Sequence, residues 1–293
     1  MSIVLLGAGQ LAHALSLVNH KTRCPCISLP KNCYPLVNDD LLRGELRRYL
    51  PNVIINAAAY TDVVGAEKAP ALAMAVNCDG VARLAELAKQ HNALLVHFST
   101  DYVFGGAGNQ PWRESDRPAP LNIYGKSKLA GEQAILASGC RHLIIRTSWL
   151  HSPWRDNFLK TMLRLAQSRE ELQVVCDQVG APTSAMMLAE VAMFAVERVL
   201  TKPELAGLYH VAASGAVSWY DYACCIFQEA SVIGLINKAP QLKPITSVDY
   251  GGVVKRPLNS LLETQHFQQR FGLLLPNWRE GVTATLQALL EDR

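Results

Sequence analysis

Residues Ile3–Leu6, Val53–Asn56, 94–99 and 143–147 are short apolar or β-branched runs, and the segments between them place apolar residues at three- and four-residue intervals. Leu11, Ala14, Leu15 and Val18 fall on one stripe of a helix over 10–18, and Val81, Leu84, Ala85 and Ala88 repeat that stripe later. Such alternation predicts an α/β fold, a doubly wound parallel sheet covered on both faces by crossover helices. The stretch 24–40 is the least regular part, because Pro25, Pro30 and Pro35 break any long element; a short second strand and then a loop are expected there.

After Trp149 the rhythm loosens. A helix over 157–168, a strand over 172–176, a helix over 185–200, a strand over 208–211, a helix over 219–230 and a last helix after Pro276 are expected. This describes a smaller lobe interleaved with the main sheet. At 293 residues the chain is long enough for one large domain or two closely packed lobes. No internal repeat or low-complexity segment is visible.

Composition excludes several partners. The net charge is only +3, which advertises neither nucleic acid nor a membrane surface, and no apolar run approaches the roughly 18 residues of a span. The chain enters its first apolar run with no basic n-region, so no export is expected. Eight cysteines without a C-x-x-C pair, several in apolar stretches, suit a reducing cytosol and a cytoplasmic enzyme. Cys24-Pro25-Cys26 with Cys33 lacks the second pair that a tetrahedral site needs, so no metal is expected.

Three segments carry chemistry. Gly7-Ala8-Gly9-Gln10-Leu11-Ala12 stands between the first strand and its helix as G-x-G-x-x-A, where Gly7 permits a tight turn, Gly9 lets a pyrophosphate approach and Ala12 lets the helix pack closely. The free N–H groups of that helix end, at Gln10 and Leu11, favour an anion. Tyr124-Gly125-Lys126-Ser127-Lys128 is a Y-x-x-x-K spacing that puts a phenol and an ammonium on one helix face; the ammonium favours phenolate and brings the tyrosine toward working range. Ser99-Thr100-Asp101-Tyr102-Val103-Phe104 ends an apolar strand, where α/β sheets bind their ligands, and offers a hydroxyl to a substrate carbonyl. Glycine turn, strand-end hydroxyl and Y-x-x-x-K follow the chain order of the short-chain dehydrogenases.

The chain resembles the dTDP-4-dehydrorhamnose reductases over nearly its whole length. The resemblance is carried by Asn56-Ala57-Ala58-Ala59-Tyr60-Thr61, the run 99–104, the run 123–132, Arg146-Thr147-Ser148-Trp149, Asn157-Phe158, Asp177-Gln178-Val179-Gly180-Ala181-Pro182-Thr183, Gly207-Leu208-Tyr209-His210 and Arg256-Pro257-Leu258-Asn259-Ser260. It implies a Rossmann-type dinucleotide-binding domain over 1–150, with 184–212 returning to it, and a substrate-binding lobe mainly over 151–293. It also implies that Tyr124 protonates the sugar oxygen, that Lys128 holds the cofactor ribose and tunes Tyr124, and that Thr100 completes the catalytic trio. Ala57, Ala58, Tyr60 and Asn77 are implied to line the cofactor cleft, and Thr100, Tyr102, Trp149, Asn157 and Arg256 to face a dTDP-4-keto-6-deoxyhexose. An arginine suits that place because its planar fork matches phosphate oxygens.

Departures from the family pattern carry information. The glycine turn is one residue shorter than the usual G-x-x-G-x-x-G. After the second strand, where an acidic residue commonly holds the adenosine ribose, the chain reads Ser28-Leu29-Pro30-Lys31; a lysine suits a 2′-phosphate, so NADPH is expected as the preferred donor, with NADH admitted. Val64 and Gly65 stand where an aspartate and a lysine often precede Ala66-Glu67. Some family members dimerise around magnesium held by glutamates; Ala14 and Met186 occupy two of the corresponding positions, so a homodimer is allowed but that metal is not expected. Two rival readings share the fold: a non-catalytic NADP-binding regulatory subunit, like the β-subunit of methionine adenosyltransferase, and a nucleotide-sugar epimerase that retains its NAD.

Overall fold

A computed structural model describes residues 2–22, 26–30, 32, 34 and 39–292. The first half winds through β1 (Ile3–Leu6), α1 (Gln10–Thr22), β2 (Cys26–Leu29), α2 (Asp39–Tyr49), β3 (Val53–Asn56), the short α3 (Val63–Lys68) and α4 (Pro70–Met74), α5 (Gly80–Gln90), β4 (Leu94–Thr100), α6 (Ile123–Ser138) and β5 (His142–Thr147). The second half follows with β6 (Leu150–His151), α7 (Phe158–Ala166), β7 (Glu171–Val175), β8 (Val179–Gly180), β9 (Thr183–Ser184), α8 (Ala185–Thr201), β10 (Gly207–His210), β11 (Val217–Ser218), α9 (Trp219–Val232), β12 (Gln241–Ile245), α10 (Ser247–Tyr250), α11 (Gln265–Phe271) and α12 (Trp278–Glu291).

Six strands form one parallel sheet in the order β2-β1-β3-β4-β5-β10. Its inner strands β1, β3, β4 and β5 are buried on both faces, as the apolar runs require, while the edge strand β2 is largely half-buried. Ile3, Leu5, Val53, Ile55, Val96 and Ile145 pack against α1, α8 and α11 on one side. Val4, Leu6, Ile54, Leu95 and Ile144 pack against α2, α5 and α6 on the other. A third cluster, from Leu159 and Met162 through Tyr222 and Ile226 to Trp278 and Leu286, closes the second half around α7, α9 and α12.

The late return to the sheet is physical: α8 lies along α1, and β10 extends the sheet beside β5. Helix α2, the short α3, α4, α10 and α11 and the two-residue strands had no counterpart in the sequence reading, and two further elements are less regular. One is β12, whose Pro244 tolerates only limited pairing; it joins β7 in a separate two-stranded parallel sheet. The other is a π-helical turn at Ala75–Asp79, just before α5.

Helix α6 is positioned tightly. Asn122 caps it by accepting from Gly125 N at 2.8 Å, and Gly139, at φ +68°, ends it. A Cβ at Gly125 would run into the Tyr102 carbonyl, so only glycine lets this helix approach the end of β4 so closely.

Candidate active site

The strand order reverses between β1 and β3, and the crevice beyond their carboxyl ends is where an open α/β sheet accepts ligands. A cleft of about 440 Å³ opens there. Gly7 turns the chain at φ +131°, and a Cβ on it would lie 2.8 Å from the Ala57 carbonyl, so the turn after β1 rests directly on the backbone after β3. A Cβ on Gly9 would meet nothing within 4 Å. Gly9, Gln10 and Leu11 line the cleft at the start of α1, facing Ala57, Ala58 and Ala59.

The end of β4 and the first turns of α6 form the floor. Thr100 donates to Asp101 Oδ1 at 2.9 Å and accepts from Tyr102 N at 3.2 Å. Its hydroxyl faces the Tyr124 phenol and favours the ionised form, but burial outweighs it and holds the tyrosine above its ordinary value. Asp101 is pushed up to about 6 by the same desolvation, against the hydrogen bonds from Ser260 and Thr100. Lys128 is 2% exposed, and burial brings it down to about 8, opposed by Glu132 one turn on. The expected direct tuning of Tyr124 by Lys128 is absent from this geometry. Lys128 Nζ donates instead to the Phe98 carbonyl at 2.6 Å and lies 3.3 Å from His97 Nε2.

The second half supplies the opposite wall. Trp149, half-buried and at φ +45°, stacks on Trp219 with ring centroids 3.5 Å apart, and Phe158 and Tyr222 extend the aromatic face. Asn157 lines the cleft, yet its amide is committed: Oδ1 caps α7 at Lys160 N, and Nδ2 donates to Ser152 O at 2.8 Å. Gln10 bridges the halves, donating to Leu150 O at 3.3 Å and accepting from Ser152 at 2.9 Å. Arg256 is exposed beside Tyr102, whose phenol it stabilises as the ion, although burial still pushes Tyr102 up to about 12. Asn122 Nδ2 holds the Lys255 carbonyl at 3.0 Å and so ties the Arg256 segment to the head of α6.

Thr100, Tyr124, Lys128, Trp149 and Asn157 line the cleft with the glycine turn's Gly9, whereas Gly7, Tyr102 and Arg256 stand outside its lining. Asn77 does not open onto the cleft: it is 1% exposed, accepting from Tyr60 N at 2.9 Å and donating to Tyr60 O and Ser127. It shapes the loop that carries Ala57 and Ala58, and Tyr60 stands on that loop outside the lining. Lys31, Cys24 and Cys33 lie outside the described residues. Sequence reasoning overlooked Asn56, His97, His151, Trp219 and Tyr222. Of these, Asn56 heads a segment that carries the family resemblance, and His97 left a signal as an imidazole within the apolar run of β4.

The residues present fit a dinucleotide. The helix end at Gly9 is open, and Ser99 Oγ, Thr147 Oγ1 and Asp101 Oδ2 are buried without a partner in residues that line the cleft. Orphaned polar atoms at a cleft mark a place for a polar ligand. Gly7 and the helix end would receive the phosphates, and Tyr124 and Lys128 would hold the ribose at the nicotinamide end.

A doubly wound parallel sheet with a glycine turn at its switch point and a Thr-Tyr-Lys trio beside it defines an oxidoreductase of the extended short-chain dehydrogenase class. Within that class, the chain belongs to the RmlD substrate binding domain family, whose model matches residues 1–291. It is 45% identical over 257 residues to the dTDP-4-dehydrorhamnose reductase of Escherichia coli K12, covering 88% of this chain and 86% of that one. The crystal structure of the Bacillus anthracis dTDP-4-dehydrorhamnose reductase in complex with NADP superposes with a TM-score of 0.89 at 33% identity, covering 98% of this chain and all of that one. The Thermus thermophilus UDP-glucose 4-epimerase, solved with NAD, shares the fold at TM-score 0.80 and 17% identity, with 99% of each chain covered. Among the described residues no helix is long and apolar enough to cross a membrane.

Proposed function

We propose that the protein reduces the C4 keto group of dTDP-4-dehydro-6-deoxy-L-mannose with NADPH, giving dTDP-L-rhamnose. The observation that carries this reading is the convergence of Thr100, Tyr124 and Lys128 at one end of a cleft whose other end is the open glycine turn. When bound, the dinucleotide supplies the hydride. The remaining work falls to side chains. Burial keeps the Tyr124 phenol protonated at neutral pH, which is the form an acid needs if it is to pass a proton to a nascent alkoxide. Thr100 spends its one O–H on Asp101 in this geometry, and it orients the carbonyl by turning that O–H to the sugar oxygen beside the phenol.

Trp149 and Trp219 offer flat apolar area to the sugar or base, and Arg256 offers an exposed guanidinium to the diphosphate. On this reading residues 1–150, with 184–212, hold the cofactor, and the remainder of 151–293 selects the sugar nucleotide. The preference for NADPH rests on Lys31 after the second strand; a preference for NADH above tenfold in kcat/KM would count against it.

The test is oxidation of NADPH and NADH with the 4-keto sugar nucleotide generated in situ, comparing wild type with Tyr124→Phe. Turnover that collapses in the variant supports the reductase and its proton donor together. A purified protein that carries NAD and turns over without added reductant would be an epimerase.

A further inference from the structure

Beneath the trio runs a row of side chains to which the proposed reaction assigns no role beyond Lys128 itself: Asn56 on β3, His97 on β4 and Lys128 on α6. Asn56 Nδ2 lies 3.1 Å from His97 Nδ1, and His97 Nε2 lies 3.3 Å from Lys128 Nζ. All three residues are buried, His97 completely. In such an enclosure each contact needs one donor and one acceptor, because an unmatched pair has no water to turn to.

The polarity of the row is set at its far end. Asn56 Oδ1 accepts the Ala58 backbone N–H at 3.1 Å, so the amide nitrogen must face the imidazole; a flipped amide would set two donors against each other. Tyr34 gives independent support. Its hydroxyl donates to the Val76 carbonyl at 2.8 Å and its oxygen receives a hydrogen bond from Asn56, which accounts for the second amide proton. His97 Nδ1 is therefore the acceptor, the ring is neutral, and its proton sits on Nε2, aimed at Lys128. An ammonium would meet that N–H donor to donor. Nζ answers it with a lone pair, and spends an N–H on the Phe98 carbonyl at 2.6 Å.

We infer that His97 is a positioning residue for Lys128: locked as the Nε2–H tautomer by Asn56, it holds Lys128 as a neutral amine in this arrangement and ties the gain of its ammonium proton to Nζ turning away from β4. The inference rests on the reading of Lys128 as a catalytic residue. The other groups around Lys128 do not reverse it. Glu132, one turn further along α6, favours the ammonium, but both its oxygens are taken by Arg146 at 2.9 and 2.6 Å, with His210 behind that guanidinium at 3.4 Å. Tyr124, one turn back, is held protonated beside Thr100, Asp101 and Tyr102. Burial of Lys128 points the same way as the hydrogen-bond polarity, and burial keeps His97 neutral.

Asn56→Asp tests this with almost no change of shape. A carboxylate still accepts from Ala58 N, but it accepts from His97 Nδ1–H as well, which turns Nε2 into an acceptor for an ammonium. In 15N spectra of the imidazoles, with His97 identified by the signals lost in His97→Gln, wild type is expected to carry the proton on Nε2 and Asn56→Asp to carry it on Nδ1. In the pH profile of kcat/KM, the alkaline limb is expected to rise by about one pH unit or more in Asn56→Asp and in His97→Gln, whose amide oxygen can face the ammonium. A proton on Nδ1 in wild type, or alkaline limbs in both variants that coincide with wild type, overturns the inference. The spectra require no turnover. A protein that reduces no dTDP sugar therefore sinks the proposed function and leaves the tautomer to decide the role of His97, and the wild-type spectrum decides it even where Asn56→Asp fails to fold.

Discussion

The two walls of the cleft are built by opposite means. On the sheet side, the ends of β3 and β4 and the head of α6 hold polar and titratable groups by hydrogen bonds to backbone and to one another: Lys128 to Phe98 O, Thr100 to Asp101, Asn56 to Ala58 N. On the other side, Trp149, Trp219, Phe158 and Tyr222 offer stacked rings, with His151 Nε2 and Tyr222 Oη buried and unpartnered behind them. Fixed protons and dipoles suit a reaction; broad apolar area suits recognition of a ligand by shape. The comparison implies that damage on the sheet side appears in kcat and damage on the aromatic side in KM.

The largest effect is expected at the sheet wall. Tyr124→Phe removes only the hydroxyl, and kcat should fall by about 10³-fold, with a denaturation midpoint close to wild type. A variant that keeps a tenth of the wild-type kcat would move the proton donor elsewhere, with Asp101 the next candidate. Comparable in size, but felt in stability, is the ion pair that clamps α6 to β5. Arg146 and Glu132 are 3% and 1% exposed and meet through two hydrogen bonds, so Arg146→Leu leaves a buried carboxylate without its partner. Urea denaturation should show a loss of about 3–5 kcal/mol, most of it recovered in the double variant Arg146→Leu/Glu132→Leu. No recovery would mean that the loss comes from packing against Phe104, over which the guanidinium also lies.

The same contrast explains what the sequence made legible. The sheet wall is assembled from contiguous segments after consecutive strands, so Gly7, Gly9, Thr100, Tyr124 and Lys128 stood out as spacings within a few residues of each other. The aromatic wall is assembled across long separations. Trp149 lies against Trp219, and Gly180 leaves room for the ring of Trp149; nothing local at 219 or 180 announces the pairing. Asn77 illustrates a subtler miss. It was assigned to the cleft by resemblance, whereas the π-helical turn points its amide into the protein to hold Tyr60. Lys128 shows the limit of reading a motif as a geometry, since the i, i+4 spacing put ammonium and phenol on one face but could not show that Nζ turns toward His97.

A smaller effect is expected from Asp101, where the sheet wall holds a charge at a cost. Burial raises its folded value to about 6, while an unfolded chain ionises near 3.8. The unfolded state thus releases its proton first as pH rises, and the folded state carries a penalty that is complete above about pH 6 and relieved as pH falls toward 3.8. Asp101→Asn keeps an acceptor for Thr100 and removes the charge. It should stabilise the protein by on the order of 2 kcal/mol at pH 7.5, and the gain should shrink toward zero near pH 4. A gain independent of pH would show that Asp101 titrates alike in the folded and unfolded chain, so that burial does not oppose its ionisation.

The smallest effect is expected on the aromatic wall, and it is the one that most directly tests the division of labour. Trp149 sits at φ +45°, unfavourable for a bulky residue, and is kept there by the bare backbone of Gly180 on one side and the indole of Trp219 on the other. Trp219→Leu removes the stack but keeps an apolar side chain in the first turn of α9. Stability should fall by about 1 kcal/mol, and KM for the sugar nucleotide should rise several-fold as Trp149 relaxes, while kcat stays within about twofold. KM for the dinucleotide should not change, because the glycine turn and Ala57–Ala59 lie across the cleft. If kcat falls as steeply as KM rises, the rings do more than recognise: they hold the substrate carbonyl against Thr100 and Tyr124, and the two walls act as one device.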